Sequence, residues 1–303
     1  MKIFIFTVFL SSSIFAAEGF YHIKDLVPEY GFKIKSYFSH HNCGSVRIHK
    51  TKNIYLTALH CFAEELEPIK GVTLGNPMEY ENLGYYKNEV GKVINGKKFK
   101  ILANGNCFSG FGLDIINQET ISNQMMAIEC IQGDWLIYED LTMPQHHECV
   151  KVTEPKGIEA MALGAPRKTV DRKVGLKKLD GNVYSKGNLL TLDEVKAPGV
   201  FLFPDVWHFT DTNRDSGELL EKHFYFSDID VIPGMSGGPV LTKNFEIIGI
   251  STLKLGPNSL WRYPNAPTYD DFMNASHGIL KIKSIQASLK KMEIPSENFF
   301  DCH

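Results

Sequence analysis

Pro233-Gly234-Met235-Ser236-Gly237-Gly238-Pro239-Val240 is a turn through which neither a regular helix nor a regular strand can pass. Glycine on both sides of a serine lets the backbone enter conformations closed to residues with a Cβ, and lets another chain approach closely. A serine hydroxyl with two main-chain N–H groups beside it is equipment for acyl transfer, because those groups stabilise the oxyanion formed when the hydroxyl attacks a carbonyl. A plain glycine–proline turn between two strands uses the same residues. The chemical reading therefore depends on partners elsewhere in the chain: an imidazole to accept the serine proton, and a buried carboxylate to orient that imidazole.

The candidate imidazole follows a strand pattern. Asn42 to Ile48 alternates apolar with polar residues, Lys50-Thr51-Lys52-Asn53 is a turn, and Ile54 to Leu59 runs on as a second strand ending at His60-Cys61. A histidine there, pinned by a bridged cysteine, is held firmly enough to act as a base. The candidate carboxylate is Asp134, which opens the apolar run Asp134-Trp135-Leu136-Ile137-Tyr138. A partly buried aspartate is costly unless hydrogen-bonded, and a histidine N–H is a suitable donor. Its rival, Asp114, sits in a shorter stretch that turns polar at once.

At 303 residues, with 43% hydrophobic residues rich in Phe, Tyr, Ile and Val, the chain suits a globular β-rich protein with one large core or two smaller ones. A formal charge of -3 argues against nucleic-acid partners. The basic run Arg167 to Lys178 reads as a solvated loop or edge strand. Lys2, the apolar run Ile3 to Leu10, Ser11-Ser12-Ser13 and Ala16-Ala17 read as a secretory signal over residues 1–17, too short to remain as a membrane span. Six cysteines lie beyond it, an even number that reads as disulfides in an exported chain. Cys43 and Cys61 flank the strand–turn–strand pattern and could close one loop. Cys107, Cys130, Cys149 and Cys302 leave three connectivities open.

A second half begins near Lys151, giving divisions 18–150 and 151–303. Strands are expected at Gly157 to Leu163, Val200 to Phe203 and Phe224 to Phe226, with Ser185 to Gly217 a weakly periodic surface insertion. After Ser236 a hairpin is expected: Pro239-Val240-Leu241, a turn at Lys243-Asn244, then Glu246 to Thr252. Ile282, Ile285, Leu289 and Met292 recur at helical spacing. His146-His147-Glu148-Cys149 has metal-ligand residue types, but it lies in the connection between the halves and reads as structural, so no metal is expected.

Taken together, Cys43-Gly44-Ser45, Thr57-Ala58-Leu59-His60-Cys61, Asp134-Trp135-Leu136-Ile137 and Gly234-Met235-Ser236-Gly237-Gly238-Pro239 resemble the motifs of the chymotrypsin/trypsin-like serine peptidases, in the family's His, Asp, Ser order. The likeness is greatest to their bacterial exported branch and covers about residues 35 to 290. It implies an all-β fold of two six-stranded antiparallel β-barrels, here followed by the C-terminal helix. His60 and Asp134 would come from the first barrel and Ser236 from the second. It further implies a secreted or periplasmic serine endopeptidase working through an acyl-enzyme. The oxyanion hole would be the N–H groups of Gly234 and Ser236, and Ser251 would line the substrate strand and bond the aspartate. Asp230, six residues before Ser236, stands where the trypsin branch binds Lys or Arg, and Leu253 where it keeps a small glycine. Asp230, like Asp228, is alternatively a solvated turn residue. The resemblance pairs Cys43 with Cys61 and Cys149 with Cys302, leaving Cys107 with Cys130. Met235 replaces the aspartate that takes up a new N-terminus in the digestive branch, so that activation switch is expected to be absent. Expected partners are protein or peptide substrates. Neither cofactor, nucleic acid nor, after signal removal, membrane is expected, and the protein should be a monomer. Alternatives are a non-catalytic binding module on the same fold and an esterase with the same three residues.

Overall fold

Strands whose odd and even residues are both apolar must bury both faces, and much of this chain follows that rule. A computed structural model describes residues 20–22, 37–40, 43–65, 91, 93–94, 99–105, 132–142, 149–164, 183–191, 194, 199–202, 205–208, 221–231, 234–255 and 276–302. In chain order the strands are β1 (Phe20–His22), β2 (Tyr37–His40), β3 (Cys43–Arg47), β4 (Ile54–Thr57), β5 (Val93–Ile94), β6 (Phe99–Asn104), β7 (Leu136–Asp140), β8 (Glu159–Gly164), β9 (Val183–Leu190), β10 (Gly199–Leu202), β11 (Asp205–His208), β12 (Phe224–Ser227), β13 (Pro239–Thr242), β14 (Ile247–Leu255) and β15 (Ser276–Lys281). The helix α1 (Ile282–Lys291) follows β15 directly.

The molecule is mostly β. The first half forms a six-stranded antiparallel sheet in the order β2-β3-β4-β7-β6-β5. The strands of the second half, β8 to β15, form with β1 a nine-stranded sheet, within which β8, β9, β12, β15, β14 and β13 close on themselves through the β14–β15 pairing. This closed ring is a six-stranded antiparallel barrel. The first strand, β1, adds to the barrel at β9, with Phe20 opposite Ser185 and His22 opposite Val183.

Alternation divides the core in three. On one face of the first sheet, Tyr55, Phe62, Phe99, Ile101, Leu136 and Tyr138 pack with Cys43 and Cys61. Here the Tyr55 and Tyr138 rings stack at 5.6 Å and Phe99 meets Tyr138 edge-on. Inside the barrel lie Ala160, Ala162, Val183, Val240, Ile248 and Ile279. Between the two sheets, Val46, Ile48, Leu56 and Ile137 of the first pack with Met161, Leu163, Leu241 and Leu280 of the second. The register agrees with this division, since Ala162 pairs with Val240 and Met161 with Leu241. Each such aliphatic side chain contributes about 1.5–3 kcal/mol by leaving water, so the interface between the sheets is as much core as either interior.

The helix expected from Ile282, Ile285 and Leu289 is present, and those residues are buried in the shared core. The strands expected near 42–48, 54–59, 134–138, 157–163, 200–203, 224–226, 239–241 and 246–252 are present with ends shifted by at most three residues. The expected insertion from Ser185 to Gly217 is corrected. Its start belongs to β9, which is paired along its length with β8 from Glu159–Asn188 to Gly164–Val183, and β10 and β11 form a hairpin further on. Only Val183, Tyr184 and Ser185 of β9 are buried, and Lys186 is exposed. Backbone pairing, rather than an apolar stripe, makes this strand.

Among the described residues two disulfides are formed, Cys43–Cys61 and Cys149–Cys302. The second ties the connection between the halves to the C-terminal tail, whose Phe299 and Phe300 are buried and whose Asp301 N–H donates to the Ile48 carbonyl at 3.2 Å. Cys107, Cys130, the basic run Arg167 to Lys178, His146, His147, Glu148, Asp114 and residues 1–17 lie outside the described residues. Among the described residues no helix is long and apolar enough to cross a membrane.

Ile285→Ala should lower unfolding free energy by about 2–5 kcal/mol, read from denaturant midpoints, because it opens a cavity where α1 meets both sheets. His223 supplies a pH-dependent counterpart. Its Nδ1 lies 3.1 Å from Ser284 Oγ of α1, and that hydroxyl donates to the His223 carbonyl at 3.3 Å. Burial, then the charges of Lys222, Lys291 and Lys281, depress its pKa from 6.5 to about 4. The unfolded chain therefore binds the extra proton between those values, and stability falls as pH drops through that window. His223→Gln should flatten this part of the pH–melting curve and leave stability at neutral pH nearly unchanged.

Candidate active site

Asp134 lies two residues before β7 and is fully buried. It is placed there by a close backbone approach. The Gly105 N–H donates to the Trp135 carbonyl at 2.9 Å, and a Cβ on Gly105 would stand 2.0 Å from the Gly133 carbonyl oxygen. Only glycine lets β6 end so near the 133–135 segment.

His60 sits in a 3-10 turn, Leu59–Glu65, immediately after β4. Two contacts join it to Asp134: its main-chain N–H donates to Oδ1 at 2.9 Å, and its ring Nδ1 lies 2.7 Å from Oδ2. The imidazole is 26% exposed while the carboxylate is wholly shielded. With Nδ1–H donating to the carboxylate, the basic lone pair of the ring is the one on Nε2.

Ser236 is half-buried in the turn before β13. Its carbonyl accepts from the Gly44 N–H at 2.7 Å and lies 3.8 Å from Cys61 Sγ, so the serine turn is fastened to the strand and disulfide that hold His60. Gly237 has φ +72, and a Cβ there would meet Thr57 Oγ1 at 2.2 Å, the Gly44 oxygen at 2.5 Å and the Ala58 nitrogen at 2.6 Å. The Gly237 N–H donates to the Ser251 carbonyl at 2.8 Å, and the Ser251 N–H to the Gly238 carbonyl at 2.9 Å. Met235, next to the serine, is buried among the barrel's interior residues and packs tightly beside Gly164. Gly234 has φ +102, and among the described residues the N–H groups of Gly234 and Ser236 donate to no main-chain carbonyl.

The residues expected to shape a substrate pocket are distributed as follows. Ser251 is buried on β14 beside the serine turn, but its Oγ makes no hydrogen bond among the described residues. The expected bond from Ser251 to Asp134 is thus corrected. His60 already engages both carboxylate oxygens, one with its main chain and one with its ring. Asp230 is buried and therefore not a solvated turn residue, between Ile229 and Val231, which belong to the barrel interior. Asp228, by contrast, is exposed and accepts the Asn188 N–H at 2.5 Å. Leu253 pairs with Gly278 where the β14–β15 register shifts. Sequence reasoning gave no role to Gly44, Thr57 and Gly105: the two glycines act through their backbones or by lacking a side chain, and Thr57 through its hydroxyl, which donates to the Gly44 carbonyl at 2.7 Å. Glycine inside or at the end of a buried strand was the available signal.

No protein-family model and no curated protein matches this sequence. Among solved structures, the chain is similar to the inactive form of Rv3671c protease, with 15% sequence identity, a TM-score of 0.34 and 82% of each chain covered.

Gly237→Ala should lose at least about 1–2 kcal/mol from the positive φ alone, with the overlap on Thr57 and Gly44 adding to it. A lowered denaturation midpoint would register the loss. Unchanged stability would mean that the serine turn is not clamped between the sheets.

Proposed function

We propose that the chain is an exported serine endopeptidase that cuts peptide bonds through an acyl-enzyme, with Ser236 as nucleophile, His60 as base and Asp134 as its orienting carboxylate. The observation that carries this reading is the double attachment of His60 to a wholly buried Asp134, beside a serine turn bonded to the same strand and disulfide. In the proposed reaction Nε2 takes the proton as Ser236 Oγ attacks the carbonyl, and Asp134 stabilises the imidazolium. The N–H groups of Gly234 and Ser236 receive the oxyanion. His60 returns its proton to the leaving amine, and water then enters by the same base to release the acyl group.

In this reading residues 1–17 are the signal and 18–150 form a first barrel around the six-stranded sheet, except for β1, which pairs with β9 of the other sheet. Residues 151–303 form the second barrel with α1. Asp230, Ser251 and Leu253 shape the substrate site. Two disulfides and the absence of a membrane-length helix among the described residues are compatible with an extracellular or periplasmic location.

The direct test is a fluorophosphonate probe with the modified residue located by mass spectrometry. Label should fall on Ser236 and vanish in His60→Ala. Ser236→Ala should cut peptide turnover by about four or more orders of magnitude, and Asp134→Asn by roughly four. Turnover should rise with pH as an imidazole loses its proton, and a flat profile from mildly acidic to mildly alkaline pH would remove His60 from the role of base.

A further inference from the structure

A stretch of the β14 edge lies open beside the serine turn, and a hairpin closes its far end. β15 flanks one edge of β14 from Gly249, opposite Lys281, to Leu255, opposite Ser276. On the other edge β13 pairs as far as Ile250, opposite Pro239. The serine turn continues that ladder at Ser251, whose N–H donates to the Gly238 carbonyl and whose carbonyl accepts from Gly237. β10 takes up this same edge at Leu255, opposite Val200, since β15 holds the other side of that residue. Among the described residues no strand pairs with Thr252, Leu253 or Lys254 on this side. Thr252 is the extra residue where the β14–β15 register shifts, and such a bulge bends and twists its strand. The bend falls just past the point where β13 gives way to the serine turn, which accounts for the gap.

An unpaired strand edge is a template for an extended peptide. Both strands already on this edge run antiparallel to β14. A peptide added in the same sense points its C-terminal end at Ser236, so the residues in the gap are those on the acyl side of the bond to be cut.

We propose that the β10–β11 hairpin is a stop that limits this acyl-side segment to three residues at most, an inference that rests on the function proposed above. From Ser251 to Leu255 the edge runs about 13 Å, and both ends are taken, by the serine turn and by β10. Because β10 is antiparallel to β14, its chain heads from Val200 toward the serine turn before folding back through the Leu202–Asp205 pair into β11. A fourth acyl-side residue meets the place that β10 fills. It must leave the sheet, forgoing its main-chain hydrogen bonds. The preferred substrate is therefore a peptide whose chain begins, or turns sharply away, within three residues of the cut. Water adds its hydroxyl to the acyl carbon and its hydrogen to the amine, and the acyl-side product is a short peptide with a new carboxylate.

The probes are acetylated peptidyl aminomethylcoumarin amides with one to six residues, alanine throughout except the last, which is varied over the side-chain classes. In the wild type kcat/KM should peak at two or three residues, and lengthening beyond three should lower it by about tenfold. Replacing residues 199–208 with a short Gly-Ser loop should abolish that drop. Val200→Pro, which breaks one of β10's two ladders while keeping the chain length, should reduce it. A kcat/KM that keeps climbing through the fourth to sixth residues, or an equal drop in both hairpin variants, would overturn the stop. Should fluorophosphonate never label Ser236, the peptidase reading fails by itself. The stop is then read from the binding of the matching acetylated peptide acids to Ser236→Ala protein. Affinity should peak at the same length, and a profile that is flat or rises to six residues would overturn the stop there too.

Discussion

The hydrogen bond from the Gly44 N–H to the Ser236 carbonyl is short, at 2.7 Å, and joins the two halves of the molecule at the candidate site. Gly44 belongs to β3 in the first sheet, and Ser236 to the turn that opens β13 in the barrel. Nothing bulkier than hydrogen fits at Gly237, because Thr57, Ala58 and Gly44 already occupy its surroundings. A single turn is thus held by main-chain contacts from one side and by Ser251 from the other. Relative placement of the two halves and relative placement of Ser236 and His60 become one geometric problem.

That problem has a stable solution because both sheets bury both faces. Had the first sheet been solvated on its outer face, Leu56 and Ile137 would meet water and the halves would be free to move. Instead these residues join Met161, Leu163, Leu241 and Leu280 in a shared core, which α1 closes with Ile285 and Leu289. Close-packed side chains resist sliding, since even small gaps forfeit contact energy. The Cys149–Cys302 bridge and the Asp301–Ile48 hydrogen bond add a second anchorage by returning the tail of the barrel half to the first sheet. The site is therefore stiff at its main chain, which is what positioning groups to tenths of an ångström requires.

Much of this was legible in the chain itself, and the limits have physical causes. The apolar run 54–59 and the helical spacing of 282, 285 and 289 are read from side chains that face a core, so those elements stand out. The His60–Asp134 pairing was legible for a different reason: a carboxylate opening an apolar strand must find a donor, and few are available. The strand β9 was missed because its pairing with β8 runs through backbone groups, while Lys186 and Asn188 break the apolar pattern. The hydroxyl of Ser251 was misplaced because its hydrogen bonds are made by its main chain instead. A glycine that holds the site by having no side chain, such as Gly105, or through its main chain, such as Gly44, leaves little trace in any pattern of polarity.

The buried carboxylate fixes the logic of the remaining contacts. A wholly shielded Asp134 must be compensated, and among the hydrogen bonds that reach it both donors come from one residue, the His60 main chain at Oδ1 and its ring at Oδ2. A main-chain donor cannot rotate away, so even a flipped imidazole would leave Oδ1 satisfied and the turn in place. The ring bond then selects a tautomer rather than sustaining the fold. In the proposed reaction this division would let the imidazole gain and lose a proton at Nε2 without unsettling the carboxylate beneath it. Removing the Asp134 carboxylate should consequently loosen the 3-10 turn as well as the ring, whereas removing the imidazole should leave the turn largely where it is. Structure and proton chemistry are attached to different oxygens of the same group.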